Sequence, residues 1–347
     1  MDMRDFGLRG PRRKTLVVLG AGASRGARFV TGHVGVLPAL DADFFQQMSR
    51  LRESEAAGRL LGFVRSEYGH EAGLSMEQFF SEADYTDRFH SELKVDPGPK
   101  IKRYRSALQD FYIVVGEMFG HPTNRPCRYH RALAQRLHVT DTVLTFNYDC
   151  IIDSSLKEVA SRRWDPDKGA YGFIPASGSE DWRIHKGKGR PNKGSIELLK
   201  MHGSVNWRIE GGQVSLVGPE PSKGESLEGS VIPPTWFKDL AVPPFDSIWR
   251  KARIAVRSAR IIVVVGYSVP PTDLFSRSLF KVEAGSKQRE ERLDLLVVVN
   301  PDARARRDFV ELVSGGLEPQ TRILELPQMS DLGELLEANG AGASLPM

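Results

Sequence analysis

His202 closes a strand-like run, LLKMHGSVNW, and is followed by Gly203, which lets a ligand or another segment approach closely. Histidine is the side chain best suited to accept a proton near neutral pH. The other histidines, at positions 33, 70, 90, 121, 130, 138 and 185, lack such a setting. A second cluster, TFNYD, puts Asn147 and Asp149 just past an apolar run. Asp149 could equally be only the N-cap of the helix expected in CIIDSSLKEVA. Asn147, one residue beyond the apolar run, is freer to address a ligand. In a third cluster, LVVL runs into Gly20-Ala21-Gly22-Ala23-Ser24. Glycines there let the backbone approach a phosphate whose charge is met by a helix N-terminus. VVVGYSVPPTD offers Gly266 and Ser268, small enough to admit a phosphate or ribose, and VVVNPD offers Asn300. Any one of these could be no more than a strand-ending turn.

The segments that carry the clusters are Leu16–Leu19, Val143–Phe146, Ile261–Val265 and Leu293–Val299. Each is short and continuously apolar, as parallel strands covered on both faces are. In open α/β sheets ligands sit outside the carboxyl ends of the strands, where all five clusters fall. The expected fold is therefore α/β, a Rossmann-like parallel sheet with helices on both faces, in one domain over 1–347. Residues 42–138 read as a helical insertion or lid. It holds DADFFQQMSRL with Asp41 or Asp43 as N-cap, SMEQFFSEAD with a Ser75–Gln78 capping box, YRSALQDFYIVVGEMF and YHRALAQRL. Residues 160–245 read as a small loop-rich module with strand pieces in SIELLKMHGSVNWRI and GQVSLV, and PEPSKGESLEG as a mobile surface loop. FDSIWRKARIAVRSA reads as a helix, followed later by a helix near 303–313 and a strand near 321–326. Residues 328–347 read as a flexible tail; a second GAGAS at 340–344 has no apolar strand before it.

The 347 residues allow one large domain with insertions, and the composition (40% apolar, 27% charged) is that of a globular protein. A net charge of +4 is compatible with an anionic ligand and demands none. No apolar run approaches the roughly 18 residues of a membrane span, and the start of the chain lacks a secretory core. Cys127 and Cys150 cannot build a four-thiolate zinc site or a disulfide framework, so a cytosolic, metal-free protein is expected. The glycine turn spaces its glycines as G-x-G-x-x-x-G, close to the dinucleotide fingerprint but not the same. Asp41 and Asp43 stand where a redox Rossmann unit carries its ribose-binding acid. GHVGVLPALD, however, with Pro38 and two glycines, makes a poor central strand. No G-x-x-x-x-G-K-[ST] occurs. A nucleotide site is expected, rather than a hydride-transfer or P-loop site.

Taken in order, the clusters resemble the sirtuin superfamily. GAGAS is similar to its glycine-rich phosphate loop, TFNYD to its T-x-N-x-D element and MHGS to its His-Gly motif. GYS is similar to its small-residue loop, and VNP to its ribose/adenine loop. The departures are specific. No cysteine lies between 202 and 266, so the zinc ribbon of the protein deacetylases is absent, and RGARFVTGHVGVLPALDADFF replaces their Pro-Asp-Phe-Arg element. That form resembles the bacterial sirtuin-like branch of antiphage defence, whose members hydrolyse NAD+. The resemblance implies an NAD+ glycohydrolase with Asn147 and His202 as catalytic residues and Asp149 beside them. Gly20, Ala21, Gly22 and Ser24 would lie around the pyrophosphate, and Gly266, Ser268 and Asn300 on the adenosine side. It implies NAD+ as substrate, no metal, and a cytoplasmic NAD-depleting effector of abortive infection. It also implies a homo-oligomer with a separate activating partner, such as a ring ATPase (helicase) or an Argonaute-like protein. The basic stretch 183–193 reads as a solvated loop or as a nucleic-acid or partner contact. A non-catalytic NAD or ADP-ribose sensor, an ADP-ribosyl cyclase and a transferase remain as alternatives.

Overall fold

A computed structural model describes residues 1–10, 12–27, 36–69, 73–93, 98–120, 127–183, 195–233, 240–270 and 273–340. Six short segments form one parallel sheet: β1 (Thr15–Leu19), β2 (Thr142–Thr145), β3 (Glu197–Lys200), β6 (Ile261–Val265), β7 (Leu295–Val299) and β8 (Arg322–Leu326). β4 (Trp207–Glu210) and β5 (Gln213–Leu216) make a separate antiparallel hairpin. Every residue of β1, β2, β6 and β7 is buried, which is why these segments lack polar alternation. The sheet order is β3-β2-β1-β6-β7-β8. Counting only its own strands, that is 3-2-1-4-5-6, the doubly wound Rossmann order. The strand order reverses between β1 and β6.

One feature of the ladder levels the strand tips. The first N–H past each of β1, β2, β3, β6 and β7 donates to the last carbonyl of a neighbouring strand. Phe146 N–H meets Leu19 O at 3.0 Å, Met201 N–H meets Thr145 O at 2.9 Å and Gly20 N–H meets Val265 O at 3.0 Å. Gly266 N–H meets Val299 O at 2.8 Å, and Asn300 N–H meets Leu326 O at 3.0 Å. The polar clusters therefore begin at one height along one edge of the sheet.

Helix α1 (Ala21–Gly26) follows β1 directly. The stretch before β2 holds α2 (Phe44–Met48), α3 (Glu55–Tyr68), α4 (Met76–Glu92), α5 (Pro99–Phe119) and α6 (Arg128–Arg136). The apolar faces of α2 to α5 meet in a phenylalanine cluster, with ring centroids 5.2 Å apart for Phe44–Phe45 and 5.0 Å for Phe80–Phe111. Each such ring contributes about 1.5–3 kcal/mol by leaving water. Asp41 accepts the Glu77 N–H at the start of α4 at 2.8 Å. Asp43 clamps Arg25 at 2.5 Å and Gln47 at 3.1 Å. Both carboxylates thus serve local structure. Ser75 accepts the Gln78 N–H at 3.0 Å, but the Gln78 side chain reaches forward to Glu82 instead of back, so the box is half made.

Helices α7 (Ile151–Ala160), α8 (Phe245–Ser258), α9 (Leu274–Gly285), α10 (Ala303–Leu312) and α11 (Met329–Gly340) complete the chain. Between α7 and α8, Trp164 and Trp207 are buried against Tyr171, and Trp182 is buried with its Nε1 donating to Val217 O at 2.7 Å. Two expectations are corrected. PEPSKGESLEG is anchored: Leu227 is fully buried near Gly116 of α5, and Glu225 holds Arg208 at 2.5 Å. The tail expected from 328 is helical over Met329–Gly340, because Met329, Leu332 and Leu336 bury a stripe that packs on α6. Residues 341–347, and the basic stretch apart from Arg183, lie outside the described residues. Arg183 pairs with Glu180.

Candidate active site

β2 and β3 pair with Thr145 opposite Lys200. Asn147 and His202 each stand two residues further on, at adjacent strand ends. Gly20 follows Leu19, which pairs with both Thr145 and Val265. Asn147, Asp149, Ser24 and His202 are all buried. Burial of so many polar groups demands partners, and for Asn147, Ser24 and Asp149 these partners form a directed chain.

Asn147 Nδ2 donates to Gly20 O at 2.9 Å and to Ser24 Oγ at 2.9 Å. Ser24 Oγ donates in turn to Asp149 Oδ2 at 2.5 Å. The direction is forced. A carbonyl oxygen only accepts, so the amide nitrogen of Asn147 must face Gly20. The Ser24 hydroxyl spends its one hydrogen on a carboxylate, so it must accept from Asn147. Both amide hydrogens of Asn147 are therefore used, and its Oδ1 is left as the acceptor available to a ligand. Asp149 Oδ1 meanwhile takes the Ile151 N–H at 3.0 Å, in the first turn of α7. The carboxylate thus takes the first N–H of α7, whose N-cap position is Cys150, and orients Ser24 at the same time.

His202 lies edge-on to Phe146, with ring centroids 5.3 Å apart, and 6.3 Å from the Tyr148 ring. Phe146 is itself stacked on Tyr267 at 4.4 Å and 4°. Trp249 Nε1 donates to Met201 O at 3.2 Å, and the Ile232 N–H to His202 O at 2.8 Å. Gly203 adopts φ +79°, and a Cβ there would lie 2.2 Å from Ser230 O. A glycine is required after His202 by its own backbone turn, independent of any ligand.

The glycine loop packs the chain against itself. Gly20 N–H is spent on Val265 O, and Gly22 N–H meets Gly266 O at 2.9 Å. A Cβ on Gly20 would lie 2.6 Å from Gly266 O, and one on Gly22 would lie 2.7 Å from Gly266 Cα. Gly266, at φ +62°, would place its own Cβ 2.2 Å from Ala23 N. These three glycines let the β1 and β6 loops touch backbone to backbone at the point where the strand order reverses. Among the described residues no acceptor meets the N–H of Ala21, which is exposed. Ser268 is exposed beside Val269, which holds φ +50° while buried, a strained backbone for a β-branched residue. Asn300 Oδ1 accepts the Asp302 N–H at 3.0 Å, which closes the turn into α10.

Sequence reasoning missed Lys200, Asp153, His130, Phe146 and Tyr267. Lys200, wholly buried in β3, donates to Asp149 O at 2.6 Å and to Asp153 Oδ2 at 3.0 Å. Tyr171 OH donates to Asp153 Oδ1 at 2.6 Å. Desolvation acts to lower the Lys200 pKa, but the charges of Asp153 and Asp149, with the Cys150 thiol, outweigh it and raise the value. Burial pushes the Cys150 thiol up, out of nucleophilic range. Burial lowers His130 to about 4, against the opposing charge of Asp149. The sequence signal for Lys200 was a lone charge inside the run ELLKM. For His130 it was the spacing 130, 133, 134, 137, which puts the ring on the buried face of α6.

Two surface grooves lie elsewhere. One of about 310 Å³ is lined by Arg250, Arg253, Arg257 and Glu283; another of about 340 Å³ is lined by Arg59, Phe63, Arg103 and Asp110. Neither brings a nucleophile and a base together, whereas the strand tips carry buried, oriented polar groups. The strand tips are the candidate site. Among the described residues no cluster of three metal-binding side chains occurs, and no helix is long and apolar enough to cross a membrane.

Fold and site define a doubly wound α/β protein with its polar residues at the carboxyl edge of a parallel sheet. No family model matches the chain, and no curated protein matches it. Among solved structures, the chain is similar to a Sir2 homologue in complex with NAD, at 16% identity over 95% of this chain and 91% of that one, with TM-score 0.44. It is also similar to a histidine-to-asparagine mutant of a Sir2 homologue with ADP-ribose, at 16% identity over 100% of both, with TM-score 0.42. A triple mutant of Sir2 homologues with 2'-O-acetyl ADP-ribose matches at 15% identity over 96% and 95%, with TM-score 0.41.

Proposed function

We propose that the strand tips bind NAD+ and cleave its nicotinamide–ribose bond. The observation that supports this best is the Asp149–Ser24–Asn147 chain, which leaves Asn147 Oδ1 as a fixed acceptor one strand from His202. Cleavage of that bond builds positive charge on the ribose C1' while nicotinamide leaves neutral, so little acid catalysis is needed. Asn147 Oδ1 holds a ribose hydroxyl or the attacking water. His202 accepts the water's proton as the water oxygen bonds to C1' and the C1'–N electron pair leaves with nicotinamide. The Asp149 carboxylate, close by, is an electrostatic counterweight to the developing charge. General-base catalysis of this kind supplies about 10²–10⁴-fold. Ala21 faces the pyrophosphate, with Gly20, Gly22 and Ser24 shaping the loop around it, and Gly266, Ser268 and Asn300 lie toward the adenosine.

The same reading extends to the cell. A hydrolase of NAD+ must be silent at rest, so we propose activation by self-assembly or by a separate partner, in a cytoplasmic effector of the antiphage kind that the sequence resembles. Incubation with NAD+ followed by mass spectrometry tests the chemistry. Nicotinamide with ADP-ribose supports it. A cyclic product or a modified protein would move the assignment to a cyclase or a transferase. Intact NAD+ still bound after long incubation would make the chain a receptor. Asn147→Ala and His202→Ala should each abolish turnover; near-normal turnover in either removes that residue from the mechanism.

A further inference from the structure

We infer that Lys200 is a positioning residue for this site, acting through the Asp149 turn. The inference rests on the reading of Asn147 and His202 as the reacting pair. Lys200 lies two residues before His202 in β3, and its ammonium is wholly buried. A buried ammonium in an edge strand is costly unless its charge is matched. Here Asp153 Oδ2 matches it at 3.0 Å, and Tyr171 OH occupies the other carboxylate oxygen at 2.6 Å. The remaining strong contact of the ammonium is with the main-chain carbonyl of Asp149, at 2.6 Å. Asp149 is thereby held at three points: its carbonyl by Lys200, Oδ1 by the Ile151 N–H and Oδ2 by Ser24. Ser24 and Gly20 together fix the rotation of the Asn147 amide. Lys200 is therefore the side-chain link from β3, two residues before His202, to the Asp149 carbonyl, beside the Val205 N–H that meets Tyr148 O at 3.0 Å and Ser204 Oγ that meets it at 3.3 Å. A second branch, from Ser204 Oγ to Asn206 Oδ1 at 2.5 Å and Asn206 Nδ2 to Tyr171 OH at 3.4 Å, ties the segment after His202 into the same network.

Salt-bridge partners can be removed together, and this separates positioning from simple stabilisation. Lys200→Met leaves Asp153 buried without its cation, so it loses both stability and geometry. The double variant Lys200→Met with Asp153→Asn removes the uncompensated charge but still lacks the strap on the Asp149 carbonyl. The double variant should recover most of the melting temperature while kcat stays about 10–100-fold below wild type, with KM within threefold. Recovery of kcat along with stability would overturn the inference. A readout independent of turnover is the side-chain amide signal of Asn147 in the ¹⁵N spectrum, assigned with Asn147→Gln. It should shift in the double variant, and an unchanged signal also overturns the inference. Wild-type protein that releases no nicotinamide would sink the proposed function instead, and the amide signal would still decide the role of Lys200.

Discussion

Asn147 and Ser24 sit 2.9 Å apart across the tips of neighbouring strands, and the serine hydroxyl that accepts from the amide donates onward to Asp149 at 2.5 Å. Ser24 is therefore not a spare hydroxyl for a phosphate; it converts the charge of Asp149 into an orientation of Asn147. Ser24→Ala leaves Asp149 Oδ2 and one Asn147 hydrogen without a partner in a buried site, which costs about 1–3 kcal/mol. The amide is then free to turn its oxygen away from substrate. We expect a loss of kcat larger than any change in KM, with denaturant unfolding showing the modest loss of stability. Wild-type turnover in Ser24→Ala would refute the chain of orientation.

The glycines at the loop tips make a different prediction. Gly266 combines φ +62° with a Cβ position 2.2 Å from Ala23 N, where the obstacle is backbone and cannot rotate away. Gly266→Ala should cost about 3 kcal/mol or more, from the left-handed conformation and the forced separation of the β1 and β6 loops. Gly58, exposed in the first turn of α3, meets nothing within 4 Å, and Gly58→Ala should stabilise by up to about 1 kcal/mol. Thermal melts of the two variants should move in opposite directions; parallel shifts would mean that the loops can part freely.

Much of this architecture is legible in the residues themselves. β1, β2, β6 and β7 are buried on both faces, so they read as unbroken Val, Ile and Leu, and the change to GAGAS, NYD, GYS and NPD marks their carboxyl ends. Close backbone approach at Gly20 and Gly22 was equally readable. What they approach was not, because that depends on β6 lying beside β1, a consequence of strand order that no local pattern encodes. Lys200 was hidden for a related reason: a lysine in a strand ordinarily faces water, and only the tertiary placement of Asp153 and Asp149 makes its burial tolerable.

Leu227 illustrates the same limit in a loop. It is the one large aliphatic side chain in PEPSKGESLEG, surrounded by residues typical of turns, yet it is wholly buried. Its Cδ1 approaches the face of α5 at Gly116, where no side chain obstructs it. Leu227→Ala should cost about 2–5 kcal/mol through lost burial and the cavity left behind. Limited proteolysis should then cut within residues 219–229 faster than it does in the wild type. Equal cleavage rates in both proteins would show that the anchor holds nothing in place.

His130 yields a pH dependence whose sign can be worked out. Burial lowers its pKa from 6.5 to about 4, only partly opposed by Asp149, and among the described residues no hydrogen-bond partner meets its Nδ1. Between those two values the unfolded chain binds a proton that the folded chain refuses. The neutral ring costs nothing above pH 6.5, and stability is lost as pH falls from about 6.5 toward 4. The full loss amounts to about 3 kcal/mol, since each pKa unit corresponds to about 1.4 kcal/mol. Carboxylates and the other histidines add their own slopes, so the test compares variants and not absolute stabilities. Urea unfolding at pH 7.5 and at pH 4.5 should show a smaller acid loss in His130→Gln than in wild type, by about 3 kcal/mol at most, even where the substitution lowers stability at both values. The same acid loss in both proteins would mean that His130 is charged, or solvated, in the folded chain.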